Sequence, residues 1–365
     1  MSLTTQNDFG PSLTNVAYLG RQTAKYGLII LAVLIVGRYF LNAFVAYWKA
    51  THPEPPPPPT VGFGKLPALD FPKQDNADRP KSYRLEITTR ELPEFSDRAK
   101  VFLMPKSEPS LLADERVKEI ASIYSFIFEP EVLDTRTYRW TKSQPLETSL
   151  EMDIQTLAFK LRSDYLSRPE LITAKSTLPE NYEAVERIKQ FLNTAELLGD
   201  DMATVAGRVT YLKSLGGELE EAFSLSDADF LRIDIDRLPI DDIYEMISQE
   251  GRKGVVSAII TGSTTKNASI VEMDYHYRHV DYSQVETYPI RSTKLAWKML
   301  QAGECYVINK GKKDEATIRK VRLGYYESWS EQEYLQPVYI FEGDDDFLAV
   351  VTAIDGKYLA SGSQY

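Results

Sequence analysis

Two histidines in the segment DYHYRHVD, His276 and His279, are the first residues whose types suggest a metal site. The aromatic residues around them predict a strand, and the side chains of a strand alternate between its two faces. Because the histidines are three positions apart, their imidazoles would face opposite sides of the sheet and could not bind one ion. We therefore expect no histidine-built metal site and assign the two histidines a role in cross-strand polar pairing.

A serine and a lysine, Ser263 and Lys266, have the Ser-x-x-Lys spacing of penicillin-binding enzymes. In those enzymes the serine opens a helix, so that the lysine one turn later reaches its hydroxyl. Here the motif lies in a predicted loop between two strands, from Gly262 to Asn267, and no Lys-Thr-Gly sequence follows. The spacing is therefore interpreted as a chance match.

Acidic clusters are the next candidates, since calcium takes several oxygen ligands at alternate loop positions, with a glycine at the turn and a closing glutamate. None of the four clusters has that complete pattern, and Gly343–Asp346 is more simply a solvated hairpin turn. The four clusters are Asp227/Asp229, Asp234/Asp236, Asp241/Asp242 and Asp344–Asp346. The single cysteine, Cys305, excludes an intramolecular disulfide and begins an apolar strand, which favours a buried thiol. The sequence thus predicts no catalytic residue, no metal and no cofactor, and we expect a protein that is not an enzyme.

Aromatic residues crowd one stretch near the end of the printed sequence, in a chain that contains 22 tyrosines. Two interpretations stay open. The rings could fill the core between a helix and a sheet, or they could form a partner-binding patch, since tyrosine and tryptophan supply contact area at little entropic cost. The candidate residues are Tyr325, Tyr326, Trp329, Tyr334 and Tyr339.

The charge of the chain is distributed unevenly along its 365 residues, whose formal net charge is -11. Residues 1–50 hold one acidic residue, Asp8, against four basic ones, so 52 of the 53 acidic residues lie beyond residue 50. Nucleic-acid binding requires clustered lysine and arginine to neutralise phosphates. An acidic body without a basic stripe therefore argues against a nucleic-acid partner.

An apolar run from Tyr26 to Trp48 predicts a transmembrane helix, because 23 helical residues span about 34 Å and a bilayer core is about 30 Å thick. Arg21 and Lys25 precede the run, and positive charges at this end favour a cytoplasmic N-terminus. The signal is weak because Lys49 follows the run on the other side. A cleaved signal peptide is the alternative. Bulky aromatic residues and Lys49 follow the run without a small-x-small cleavage site, so we favour an uncleaved signal anchor.

One charged side chain, Arg38, lies inside this apolar run, and Asn42 follows it by one helical turn on the same face. Both are candidates for interaction with another membrane helix, through an acidic partner group or an inter-helix hydrogen bond. The alternative for Arg38 is that its side chain reaches towards the headgroups. The lipid bilayer is thus an expected partner, and self-association is a possibility that the sequence leaves open.

A proline-rich segment follows the anchor. Residues Thr51–Pro72 hold eight of the 20 prolines, including the run Pro55–Pro59. Consecutive prolines favour the stiff polyproline II helix, so we predict a linker over residues 49–79 that separates the anchor from a folded body.

The remainder alternates helices with groups of strands. Helical spacing of apolar residues predicts helices over 114–128, 181–198 and 293–301, the last ended by Gly303, and short alternating or apolar runs predict antiparallel strands after each helix. The predicted fold class is α+β: an N-terminal transmembrane helix followed by two or three helix-plus-antiparallel-sheet units. The predicted divisions are 1–25 cytoplasmic, 26–48 transmembrane, 49–79 linker, and units over 80–175, 176–285 and 286–365.

The third unit carries a resemblance. The segments YPIRSTKLAWKMLQAGECYV, IRKVRLGYYES, LQPVYIFEG and FLAVVTAIDGKYL follow one another between Tyr288 and Leu359. Their order resembles the YycH/YycI-type, PepSY-like extracytoplasmic domain over roughly residues 288–365. The resemblance implies a helix on an antiparallel sheet, an N-terminal anchor, and an external domain that binds another envelope protein without catalytic residues.

These observations lead to one expected function and one alternative. We expect a single-pass cell-envelope protein, with its N-terminus in the cytoplasm and its body outside, that binds a protein partner in a regulatory or accessory role. The alternative is a structural or assembly component of a surface or membrane complex.

Overall fold

The computed structural model describes residues 13–51, 57–89, 91–107, 110–167, 178–263 and 269–360. It divides into two units, with the division after Pro58. The first contains the helix α1, Leu13–Thr51, of which residues 16–49 are long and apolar enough to cross a membrane. The predicted span 26–48 lies within residues 16–49, and the most apolar part of that stretch has no buried residue.

The second unit contains four helices and seventeen strands within the described residues. The helices are α2 Ala113–Ile123, α3 Asn181–Thr194, α4 Asp200–Ala203 and α5 Thr293–Ala302. The strands are β1 Ser82–Leu85, β2 Arg98–Leu103, β3 Glu131–Val132, β4 Thr137–Lys142, β5 Thr148–Asp153, β6 Phe159–Ser163, β7 Arg208–Leu215, β8 Glu218–Glu221, β9 Phe230–Ile235, β10 Met246–Ser248, β11 Val256–Ile260, β12 Ile270–Tyr275, β13 Asp281–Pro289, β14 Tyr306–Asn309, β15 Glu315–Glu327, β16 Tyr334–Gly343 and β17 Leu348–Thr352.

Nine strands form an antiparallel sheet in the order β3-β4-β5-β6-β12-β11-β9-β7-β8. Its two halves come from either side of residue 175 and meet where β6 pairs with β12. Helices α2 and α3 cover one face, because apolar residues at helical spacing, such as Ile120 and Ile188, pack on alternate strand residues such as Leu161 and Ile233. The opposite face carries charged side chains and a smaller apolar cluster that includes Phe230, Ile259 and Val271.

The other sheet has eight strands, with the path β1-β15-β16-β17-β14; β2 joins β16, β13 joins β2, and β10 joins β15. Strands β1 and β10 run parallel to β15 at its two ends. Helix α5 covers one face, and Leu69 and Phe71 cover the other. With both faces covered, β17 is buried throughout, so its sequence is apolar without alternation.

Helix α5 shows how closely local sequence determines an element. The hydroxyl of Ser292 accepts a hydrogen bond from the amide of Leu295 at 3.3 Å, which satisfies a free donor of the first turn. Gly303 ends the helix with a φ of 81°, a left-handed conformation that glycine adopts without steric cost. The predicted helix over 293–301 and its end at Gly303 are confirmed.

The folded unit begins inside the predicted linker. Leu66 is fully buried and pairs with Leu359. The side-chain nitrogen of Gln74 donates a hydrogen bond to the carbonyl of Val307, and its side-chain oxygen accepts one from the amide of Val307. Residues 59–79 of the predicted linker 49–79 therefore belong to the folded unit, and Pro55 and Pro56 lie outside the described residues.

The α+β fold class is confirmed: an N-terminal apolar helix precedes two large, mainly antiparallel sheets with helices on them. The boundaries at 175 and 285 stay predictions. Residue 285 lies inside β13, which pairs with β2.

Candidate functional site

The polar face of the nine-stranded sheet carries a lattice of charged side chains. One row runs straight across five strands, because the register places Asp274 opposite Lys160 and Ser257, Ser257 opposite Asp234, and Asp234 opposite Arg208. The face is polar because β6, β9 and β12 place apolar residues towards the helices and charged residues at the alternate positions.

All residues of this row except Lys160 line a cavity of about 520 Å³, which we call the sheet-face cavity. Its walls include Glu250, Arg252 and Lys253 from the loop between β10 and β11. Two aspartates that line the cavity, Asp234 and Asp274, are only 3% and 6% exposed.

Asp274 is held firmly by two cations. Its carboxylate accepts hydrogen bonds from the Arg162 guanidinium and, at 2.7 Å, from Lys253 Nζ. Burial opposes ionisation of Asp274, but the hydrogen bond from Lys253 and the charges of both cations outweigh it and hold its pKa below the ordinary value. Asp274 is therefore a fixed anion at this end of the cavity.

Asp234 has looser contacts. Its Oδ2 lies 3.5 Å from Arg232 Nε and 3.9 Å from Arg208 Nη2, and its Oδ1 accepts from the amide of Gly254 at 3.4 Å. These distances are longer than those of a good charge-assisted hydrogen bond. Of the two aspartates, Asp234 is therefore the one that a ligand could more easily separate from its cations.

A second cavity, of about 580 Å³, continues from the first and shares Arg208, Asp234 and Arg252 with it. It extends towards β15 and β16, where Arg322 bonds Glu342 at 2.6 Å. Both signs of charge line this pair of cavities, and no histidine or cysteine is among their described lining residues. The arrangement suits recognition of a polar or charged ligand by exchange of ion pairs.

Asp236 lines the second cavity, and its surroundings shift its pKa strongly. Burial disfavours its ionised form; Arg208 opposes this effect, but the charges of Asp234 and Glu327 add to it, and the pKa of Asp236 is raised to about 7. The carboxyl group of Asp236 is therefore about half ionised near neutral pH, whereas an aspartate with an unperturbed pKa is fully ionised there.

Replacing Asp236 by asparagine is expected to stabilise the protein, and more so at pH 8 than at pH 5. The folded pKa lies above the unfolded value of 3.8, so the folded state binds more protons at this group, and the contribution of Asp236 to stability falls as pH rises from about 4 to about 7. Asparagine removes this loss. Melting temperatures of both chains at pH 5 and pH 8 measure it, and a gain that is equal at the two pH values would contradict the raised pKa.

The predicted partner-binding aromatics occupy two kinds of position. Tyr325, Tyr326 and Tyr339 are at most 1% exposed and belong to the cores around β15 and β16, which favours the core interpretation for these three. Tyr334 is partly exposed and its ring lies 5.0 Å from that of Phe63. No surface patch can be formed from the three buried rings in this conformation.

Trp329, the fifth aromatic candidate, packs between the two sheets. Its indole stacks on the imidazole of His276 with 4.2 Å between ring centroids, and Lys253 Nζ lies 5.2 Å from the ring. Burial lowers the pKa of His276 to about 4, so the imidazole is neutral at physiological pH. The cross-strand polar pair expected for the histidines is therefore not formed: β12 ends at Tyr275, the buried Nε2 of His276 has no hydrogen-bond partner among the described residues, and His279 is exposed.

The other sequence candidates are placed as follows. Arg38 and Asn42 are exposed on α1, where no described residue tests their predicted contact with another helix. Cys305 is a free, buried thiol, as predicted. Ser263 is described, but Lys266 lies outside the described residues. Asp344 pairs with Arg319 at 2.7 Å in a tight turn, and no group of three metal-ligating side chains occurs in the described part of the chain.

A buried ion-pair hub was missed by the sequence reasoning. Arg237, just after β9, bonds Glu327 at the end of β15 through two nitrogens at 2.9 and 2.7 Å, and Asp201 through a third at 2.6 Å. The Tyr277 ring lies 4.2 Å from the guanidinium. The hub connects the two sheets, and no local pattern marks it because its members are far apart in sequence.

Comparison with known proteins adds little to this geometry. No family model and no curated protein matches the chain. The structure is similar to the crystal structure, at 1.45 Å resolution, of an uncharacterized protein from Eubacterium rectale ATCC 33656, at 12% identity. That match covers 74% of this chain and 86% of the other, with a TM-score of 0.35, a value too low to carry an argument about fold or function.

Proposed function

We propose that this chain is a single-pass, membrane-anchored cell-envelope protein that acts by binding a protein partner through its extracytoplasmic body and catalyses no reaction. The observation that carries the proposal is α1: 34 of its residues form an apolar helix with no buried part, followed in sequence by a separate folded unit. Such a helix is compatible with a membrane anchor, because water disfavours an exposed apolar surface of this length.

The resemblance of residues 288–365 to YycH/YycI-type domains supports the partner-binding part of the proposal. Proteins of that type are anchored at the N-terminus and bind other envelope proteins. The sheet-face cavity supports it further, since its charged groups are arranged as ion pairs suited to recognition. Loose contacts at Asp234 and exposed Arg252 at the rim are the points where a partner's charges would enter.

The orientation is tested by labelling intact cells with a membrane-impermeant maleimide. Lys312 is exposed in a loop, so a Lys312→Cys chain is expected to react, whereas a Ser2→Cys chain is expected to react only after lysis. The unmodified chain is the matched control, because Cys305 is buried and burial raises its pKa, which leaves little reactive thiolate.

The opposite pattern, with Ser2→Cys labelled and Lys312→Cys protected in intact cells, would place the body in the cytoplasm and remove the envelope role. The mass of the chain in the membrane fraction tests the uncleaved anchor at the same time. Loss of the first residues together with α1 would show that the helix is a signal sequence instead.

A second candidate function, a structural component of a membrane complex, is favoured by Arg38 alone. An arginine inside an apolar helix costs about 2.5–3.5 kcal/mol on insertion scales unless it is paired or reaches the headgroups. A partner helix that supplies an acidic group would recover that cost. Assembly of the full-length chain into a defined large particle, lost in Arg38→Leu, would favour this candidate over a regulatory role.

A further inference from the structure

A third cavity lies on the helix side of the nine-stranded sheet, away from the charged face. It has a volume of about 310 Å³ and lies between α2, α3 and the sheet; we call it the helix-layer pocket. Its floor is formed by Leu161 of β6 and Ile270 of β12, and one wall by the rings of Tyr124 and Phe191, which stack with 4.0 Å between centroids. The pocket is thus mainly apolar.

Two cations line this apolar pocket, Lys142 from β4 and Arg187 from α3. Its described lining includes no aspartate or glutamate, although the chain as a whole is acidic. A pocket that holds two positive charges and no described negative one is electrostatically incomplete, because half-buried charges are ordinarily paired.

Neither cation has an ionic partner among the described residues. Arg187 Nη1 is a buried nitrogen without a hydrogen-bond acceptor. Lys142 Nζ donates to the carbonyl of Tyr124 at 3.3 Å and lies 4.3 Å from the centre of the Phe126 ring, contacts that leave donors free. Burial lowers the pKa of Lys142, as expected for an ammonium group without a carboxylate beside it.

We propose that the helix-layer pocket binds a small organic carboxylate with an apolar body, whose carboxylate is held by Arg187 and Lys142. The planar guanidinium matches a carboxylate with parallel hydrogen bonds, and the ammonium adds a point charge. The apolar floor and the aromatic wall accept the body of the ligand. The pocket volume, at the lower end of the range for ligand sites, limits that body to about the size of one ring and a short chain.

The proposal is tested with 3-phenylpropionate and its neutral isostere 3-phenylpropanamide, titrated by ligand-observed NMR into the full-length chain in lipid nanodiscs. Signal changes with empty nanodiscs are subtracted. We expect the carboxylate to bind with a Kd below about 1 mM and the amide to bind at least about tenfold more weakly. Equal affinities, or no binding of the carboxylate up to about 10 mM, would overturn the proposal.

Variants locate the site. Arg187→Gln is expected to weaken binding of the carboxylate at least about tenfold while the weak affinity for the amide stays within about twofold. Lys118→Gln, which removes an exposed cation of α2 that pairs with Asp114, is the matched control and should leave both affinities unchanged. An equal loss in Lys118→Gln would show nonspecific charge attraction.

A blocking variant gives a second readout that keeps the charges. Thr194 lies exposed at the rim of the pocket, so Thr194→Trp is expected to abolish binding of the carboxylate and the amide alike without disturbing the core. Unchanged binding of the carboxylate in Thr194→Trp would place it elsewhere and overturn the assignment. Melting temperatures of all variants check that each is folded.

Discussion

Replacing Arg237 by leucine is expected to lower the free energy of unfolding by about 3–5 kcal/mol, because it leaves a buried charge without its partner. The side chains of Arg237 and Glu327 are 0% and 2% exposed. Burial opposes the charge on Arg237, but Glu327 and Asp201 outweigh it and hold the pKa of the guanidinium above its ordinary value, so Arg237 is charged. Thermal or urea unfolding of the full chain measures the loss.

An exposed arginine provides the matched control for this prediction. Arg319 pairs with Glu86 and Asp344 on the surface, where solvent screens the charges, so Arg319→Leu is expected to lower the free energy of unfolding much less than Arg237→Leu does. The double variant Arg237→Leu/Glu327→Leu should be more stable than Arg237→Leu alone, since it removes the stranded carboxylate as well. Equal losses in Arg237→Leu and Arg319→Leu would show that the hub does not hold the two sheets together.

The second large effect is expected at Gly254, where a methyl group has no room. A Cβ at this position would lie 2.5 Å from the carbonyl oxygen of Ile235 and 2.8 Å from its carbonyl carbon, and backbone atoms of a buried strand cannot move aside cheaply. We expect Gly254→Ala to cost about 3 kcal/mol by overpacking. It should also move the loop that carries Arg252 and Lys253, and so open the sheet-face cavity.

Gly62 is the control position for this substitution. A Cβ there would meet only the carboxylate end of the Glu286 side chain, which can rotate away, so Gly62→Ala is expected to cost less than about 1 kcal/mol. Urea unfolding of both variants compares the two. A Gly254→Ala chain as stable as Gly62→Ala would mean that the close approach of the β10–β11 loop to β9 relaxes freely.

Much of the fold is predictable because local signals and tertiary packing agree. Apolar residues at helical spacing predict α2, α3 and α5, and the capping serine and terminal glycine bound α5 closely. The strand β13 was not predicted, since Asp281–Pro289 has few apolar residues and is defined by its pairing with β2. Pairing between distant strands leaves little trace in either segment.

The candidate site was harder to predict than the fold. The alternation in β9, FLRIDI, predicts that Arg232 and Asp234 share a polar face, and this much is visible in the sequence. The same pattern describes any solvated sheet face. This sheet face forms a cavity because the β10–β11 loop lies beside it. The position of that loop depends on contacts such as the close approach of Gly254 to Ile235.

The aromatic cluster shows the opposite difficulty. A run such as LGYY in β15 has no alternation, because helix α5 covers one face of the sheet while Leu69 and Phe71 cover the other. Composition alone cannot distinguish a strand buried on both faces from an exposed binding patch. The distinction required the placement of residues 59–79, which the proline content had assigned to a linker.

The pairing of Leu66 with Leu359 has a consequence for the order of events during synthesis. The amide of Leu66 bonds the carbonyl of Tyr358 at 2.8 Å, and the amide of Ala360 bonds the carbonyl of Leu66 at 2.8 Å. Ribosomes add about 5–20 residues per second, so the partner of Leu66 emerges about 15–60 s after it. During that interval α1 can already reside in the bilayer, while the apolar segment around Leu66 stays without its strand partner until residues 358–360 have been made.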